Sequence, residues 1–135
     1  MKNKLETTAV KRARPLSPHL QVYSWQLTSV MSIGHRASGI ALSFGTFLIL
    51  VWVLTLSLGQ EIFNQVNHYI THWFGQLILF GFSLALVYHL LNGIRHLYWD
   101  AGKGYELESV YKSGYSVIIL TIILTTSIWY AVWFF

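Results

Sequence analysis

The sequence predicts an all-α membrane protein with three transmembrane helices, and three observations carry that prediction. Of 135 residues, 54% are hydrophobic and only 10% are charged, less than half the charged share of a soluble globular domain. The charges leave three long uncharged stretches, residues 37–60, 62–94 and 113–135. All nine Lys and Arg fall within residues 2–36 and 95–112, and none within 59–72. A chain this small cannot cover so much apolar surface with its own core, so the solvent around these stretches is lipid.

The elements follow in order. An N-terminal arm, residues 1–28, carries Lys2, Lys4, Lys11, Arg12 and Arg14. No apolar run of signal-peptide length precedes Pro15 and Pro18, so no cleavage is expected. Leu20, Val22, Tyr23, Trp25 and Leu27 then suit a membrane interface. Roughly 20 apolar residues cross a bilayer core, which places spans at about 29–58, 73–100 and 111–134. Residues 62–72 read as a polar connection. Trp73 and Trp99 bracket the second span, and Trp129 and Trp133 end the third, as interfacial aromatic belts do. The positive-inside rule puts the N-terminus and the second connection in the cytoplasm, and the first connection and the C-terminus outside. The net charge of +4 is then a topology signal, and no nucleic-acid partner is expected. The absence of cysteine excludes disulfides, thiolate zinc and iron–sulfur ligation by this chain.

Polar residues inside the spans are the candidate functional groups. On a 3.6-residue period, Ser32, Arg36, Gly39 and Ser43 share one face of the first helix, with His35 at its margin. This stripe is expected to face protein. In the second helix His89, Gly93 and His96 stand at i, i+4 and i+7, with both rings on one face. His89 lies six residues inside Arg95, roughly 9 Å deeper at about 1.5 Å per residue. Haem is the natural ligand for a deep imidazole, because three apolar helices offer no hydrophilic pocket for a hydrated metal. Counting from the outer ends, the level of His89 is near Ser43 on the first helix and near Leu120 on the third. Neither can ligate iron, so a second axial ligand is expected from another chain. The same count sets His35 level with His96, where Arg36 and Arg95 also collect and could pair with haem propionates. Ser32 and Arg36 together could hydrogen-bond a quinone carbonyl. On these residues alone, close helix packing and core histidines bonded across helices remain alternatives.

Two signatures then bear a resemblance. Arg14-Pro15-Leu16-Ser17-Pro18-His19-Leu20 with Tyr23, followed by Ser32-Ile33-Gly34-His35-Arg36 and Ser38-Gly39, resembles the first signature of the cytochrome b556 subunits of succinate dehydrogenase. His89 with Asn92-Gly93-Ile94-Arg95-His96-Leu97, Trp99-Asp100 and Gly102-Lys103-Gly104 is similar to the second. The resemblance implies the larger membrane anchor of complex II, working in the tricarboxylic acid cycle and aerobic respiration. It would pair with a second, smaller anchor subunit and dock an iron–sulfur subunit and a flavoprotein subunit on the cytoplasmic face, with succinate oxidised in another chain. It further implies that His89 ligates haem b, that His35 and Arg36 lie near the propionates, and that Ser32 and Arg36 line a ubiquinone site. His96 fits propionate contact or helix capping. A bacterial inner membrane is favoured over a mitochondrial one, since no Arg- and Ser-rich presequence is evident. The anchor of a fumarate reductase or another membrane dehydrogenase, and a haem-free scaffold, are the alternatives. His68 and His72 are expected at the outer interface, His19 against the soluble subunits or lipid head groups, and Asp100 beside His96 or Lys103.

Overall fold

The computed structural model describes residues 23–134, which form four helices: α1 (Leu27–Thr55), α2 (Gln60–Thr71), α3 (Trp73–Asp100) and α4 (Leu107–Phe134). Three of them, α1, α3 and α4, are long and apolar enough to cross a membrane. The Arg14–Leu20 part of the first signature and most of the basic arm, including His19, lie outside the described residues.

Boundaries depart from the expected ones at α1 and α4. The first helix starts at Leu27 and ends at Thr55, earlier at both ends than 29–58. Helix α4 starts at Leu107, ahead of 111, and carries Glu108 in its first turn. An acidic residue there complements the exposed N–H groups of the helix start. Its charge is also matched one turn on, where Lys112 Nζ lies 2.6 Å from Glu108 Oε1. Glu108 therefore belongs to the helix terminus, whereas its polarity had assigned it to the connection.

The larger correction is α2. Residues 62–72 are not a plain polar connection, because Gln60–Thr71 is helical, opened by Gly59 at φ 105°. Phe63, Val66, Asn67 and Ile70 recur at helical spacing and are its half-buried face, while Asn64, Gln65, His68 and Tyr69 are exposed. Such a helix suits a membrane interface. Together with α1 and α3 it borders an apolar cavity of about 670 Å³, lined by Trp52, Val66, Ile70 and Phe82.

Packing is inverted relative to a soluble bundle. The buried apolar residues are Met31, Val87 and Val117, whereas Ser38, Thr55, Asn92, Arg95, Thr121 and Thr125 are all buried. Large apolar side chains point outward, Phe44 at 70% exposure and Phe47 at 62% among them. In lipid an outward Phe or Leu costs nothing, so helices associate through small residues, close backbone approach and interhelical hydrogen bonds. Helix α3 sits between α1 and α4. On α4 the buried stripe is Gly114, Val117, Thr121 and Thr125, and Trp129 Nε1 donates to Ser83 Oγ across 2.8 Å. Gly45 of α1 brings the backbone so near α3 that a Cβ there would run into the Phe82 ring.

Candidate functional site

Helices α1 and α3 cross at Ser38, Gly39 and His89. The inward stripe of α1 is Met31, His35, Ser38 and Leu42, with Met31 and Ser38 buried and His35 and Leu42 half-buried. It is offset by one residue from the expected Ser32, Arg36, Gly39 and Ser43. Of those four, Arg36 and Ser43 are exposed while Ser32 and Gly39 are half-buried, so Arg36 projects away from this chain. The level of His89 on α1 is therefore Ser38–Gly39 and not Ser43. The outer-end count failed because α1 stops at Thr55 and α2 takes up the chain beyond it.

His89 is held at one ring nitrogen. Its Nδ1 lies 3.0 Å from Ser38 Oγ and 3.2 Å from the His35 carbonyl oxygen. Ser38 Oγ itself donates to that same carbonyl at 2.8 Å. Gly39 permits the approach, since a Cβ there would lie 3.2 Å from His89 Cε1. A hydroxyl and a glycine one residue apart thus seat the ring from below.

His35 is nearer to His89 than the depth count allowed. Its ring stacks on the His89 ring with centroids 4.0 Å apart and planes within 10°. On its other side the His96 ring lies 5.1 Å away, tilted by 44°. The expected face of His89, Gly93 and His96 is therefore covered at Gly93, where a Cβ would meet His35 Cε1 at 3.9 Å. His35 Nδ1 is buried and has no hydrogen-bond partner among the described residues.

Arg95 does not join this group. Its guanidinium is buried, donates from Nε to Ser113 Oγ at 2.9 Å and from an Nη to the Val110 carbonyl at 2.9 Å, and lies 4.0 Å over the Trp99 ring. It ties α3 to α4, so the expected gathering of Arg95 with Arg36 and His35 is not observed. Asp100 is exposed and makes no ion pair among the described residues. Tyr88, which sequence reasoning passed over, sends its hydroxyl to the Met31 carbonyl at 2.8 Å. His68 and His72 are exposed at the α2–α3 junction, where the His72 N–H bonds the His68 carbonyl.

The donor set can be tested against a haem. An axial imidazole must be neutral, unprotonated at the ligating nitrogen, and oriented through the other nitrogen. His89 suits this geometrically: Nδ1 lies against the His35 carbonyl, which can only accept, and Nε2 has no hydrogen-bond partner among the described residues. His35 would not share the iron with His89, because its ring is stacked directly on the His89 ring with centroids 4.0 Å apart, leaving no room for a macrocycle between them. Among the described residues no three His, Asp or Glu side chains cluster to hold a metal ion by themselves.

Comparison with known proteins agrees with the two signatures. The family model described as succinate dehydrogenase/fumarate reductase transmembrane subunit matches residues 10–128. This chain belongs to that family. Its relatives include the succinate dehydrogenase cytochrome b556 subunits of Rickettsia typhi, 42% identical over 86% of this chain and 90% of the relative, and of Paracoccus denitrificans, 42% identical over 82% and 85%. The human mitochondrial succinate dehydrogenase cytochrome b560 subunit is 41% identical over 82% of this chain and 66% of its own length. For a member of this transmembrane family the three apolar helices are the membrane-spanning part, and the polar interior between α1 and α3 is the place to seek a redox group.

What sequence reasoning missed at this site is Ser38. It sits inside the first signature, yet on a single helical wheel it falls off the chosen stripe. Its one legible sign was adjacency to Gly39, a small-residue pair at helical depth.

Proposed function

We propose that this chain is the membrane-anchor and electron-transfer subunit of a succinate dehydrogenase, binding one haem b jointly with a second, smaller anchor chain and contributing to the ubiquinone-reduction site. The observation that carries this reading is the setting of His89: Nδ1 lies within hydrogen-bond distance of Ser38 Oγ and the His35 carbonyl, and Nε2 has no partner among the described residues, in a chain whose relatives are named as cytochrome b subunits. Haem held at Nε2 would supply a one-electron redox centre beside the quinone.

The remaining residues take roles that follow from their surroundings. His35 Nδ1 is buried without a hydrogen-bond partner among the described residues, and a propionate oxygen would satisfy it. His96, on the other side of His35, would join it there. Arg36 is exposed and directed off this chain, so its counterions come from outside: a propionate, the quinone, or the second anchor packed against this face. Ser32, one turn earlier on α1, adds a hydroxyl donor, and the pair would bind and orient a quinone carbonyl. A charged arginine left in lipid is expensive, which favours a partner subunit over lipid at this face.

The basic N-terminal arm and the connection between α3 and α4 would face the cytoplasm of a bacterial cell, across its inner membrane, and there meet the iron–sulfur and flavoprotein subunits. Electrons from succinate would arrive from that side. Chemistry on succinate lies in another chain.

The test is a reduced-minus-oxidised spectrum of the purified complex. Wild type is expected to show b-type bands, and His89→Ala to lose them while all subunits still co-purify with the membrane anchors. Undiminished bands in His89→Ala would overturn the ligand assignment, and their absence in wild type would favour a haem-free scaffold.

A further inference from the structure

We propose that Ser38 is a positioning residue that keeps the His89 proton on Nδ1 and thereby sets the electron-donating strength of Nε2; the proposal rests on the reading of His89 as the haem ligand. Three contacts close a small ring. Ser38 Oγ donates to the His35 carbonyl at 2.8 Å, His89 Nδ1 reaches Ser38 Oγ at 3.0 Å, and His89 Nδ1 reaches the His35 carbonyl at 3.2 Å. The hydroxyl has one proton, committed to the carbonyl, so towards His89 it can only accept. The carbonyl has none and can only accept as well. All three contacts are satisfied by one arrangement, with the proton on Nδ1 shared between two oxygens.

The alternative tautomer would break this ring at two places. With the proton on Nε2, the Nδ1 lone pair would face the carbonyl lone pair at 3.2 Å, and the Ser38 proton would have to leave the carbonyl to reach Nδ1. Ser38 is buried, so water does not compete for these groups. The ring is also pinned sideways, by the stacked His35 and by Gly39. His89 therefore presents an unprotonated Nε2 in a fixed orientation.

An Nδ1–H bond to a good acceptor makes imidazole a stronger donor at its other nitrogen, and outer-shell partners of this kind typically change metal affinity by roughly 10–100-fold. A stronger donor favours ferric over ferrous iron. Losing the hydroxyl leaves the weaker carbonyl contact alone, so the effect should sit near the lower end of that range.

The experiment uses the whole purified complex with Ser38→Thr, which keeps the hydroxyl, and Ser38→Val, which keeps nearly the same shape without it; Ser38→Ala is the third variant. The readouts are haem content, the midpoint potential by redox titration, and the low-spin ferric EPR signal. Ser38→Val and Ser38→Ala are expected to raise the ferrous-to-ferric ratio at a fixed potential about tenfold, equivalent to roughly 59 mV for one electron, and to shift the EPR signal. Ser38→Thr should stay near wild type. If the hydroxyl-free variants lose haem during purification while Ser38→Thr keeps it, the affinity readout gives the same support. Unchanged potentials in Ser38→Val and Ser38→Ala would overturn the proposal, as would equal shifts or loss of assembly in all three, since volume and not the hydroxyl would then matter. His89→Ala run alongside separates the two readings. Haem retained there removes the ligand assignment, whereas haem lost there with unaltered Ser38 variants removes only the role of Ser38.

Discussion

Arg95→Lys distinguishes a helix tie from a haem contact. The substitution keeps a positive charge near the same depth, so the topology signal is unaltered. What it removes is the planar fork. In the native chain Nε and an Nη reach Ser113 Oγ and the Val110 carbonyl, each at 2.9 Å, while the guanidinium face rests on Trp99. A lysine ammonium is a single point donor on a flexible stem and can replace one of those bonds. Losing the other, from a charged donor, costs about 1.5–3 kcal/mol. Weakened stacking on Trp99 adds about 0.5–1 kcal/mol, for a total of about 2–4 kcal/mol between α3 and α4. For a chain of this size that corresponds to a fall in melting temperature on the order of 10 °C. Thermal unfolding of the purified anchor complex in detergent measures it, with the haem potential recorded on the same samples. Unchanged melting would refute the tie. A shifted potential at full stability would instead return Arg95 to the propionates, where sequence reasoning had put it.

Two further substitutions probe the α1 interface and its outer face. Gly45→Ala should destabilise the bundle by about 1–3 kcal/mol, because the new Cβ would run into the Phe82 ring and overpacking in a close interface costs that much; adding Phe82→Leu should recover part of the loss, and a Gly45→Ala melt equal to wild type would show that the ring moves freely aside. Ser32→Ala and Arg36→Leu should lower quinone reduction by about tenfold to a hundredfold, the worth of one charge-assisted hydrogen bond, and leave succinate oxidation by an artificial acceptor within twofold. An equal loss of both activities would point to damaged assembly.

Legibility varied with the length scale of the signal. The three spans were readable because a bilayer is thick and charge is excluded from it, so gaps of 24 or more residues at 37–60 and 62–94 could hardly be anything else. The amphipathic helix α2 was missed: Phe63, Val66 and Ile70 carry its period, but its polar content masked it. His89 was legible as a deep ionisable group. Which α1 residues meet it was not, since an error of a few residues in one helix end moves the matching level along α1 by more than a turn, and the chosen stripe was itself one residue off. That error exchanged Ser43 for Ser38 and hid the stacked His35.

The order of residues, by composition and charge spacing alone, determined that this chain lives in lipid as three crossing helices and that a histidine lies far inside one of them. Tertiary structure decided which groups surround that histidine: the serine and carbonyl on Nδ1, the imidazole stacked on its face, and the arginine turned away to bind α4. Hydrophobicity is a property each residue carries with it, summed along the chain. Hydrogen bonding depends on angle and distance between helices, and those exist only once the helices have packed.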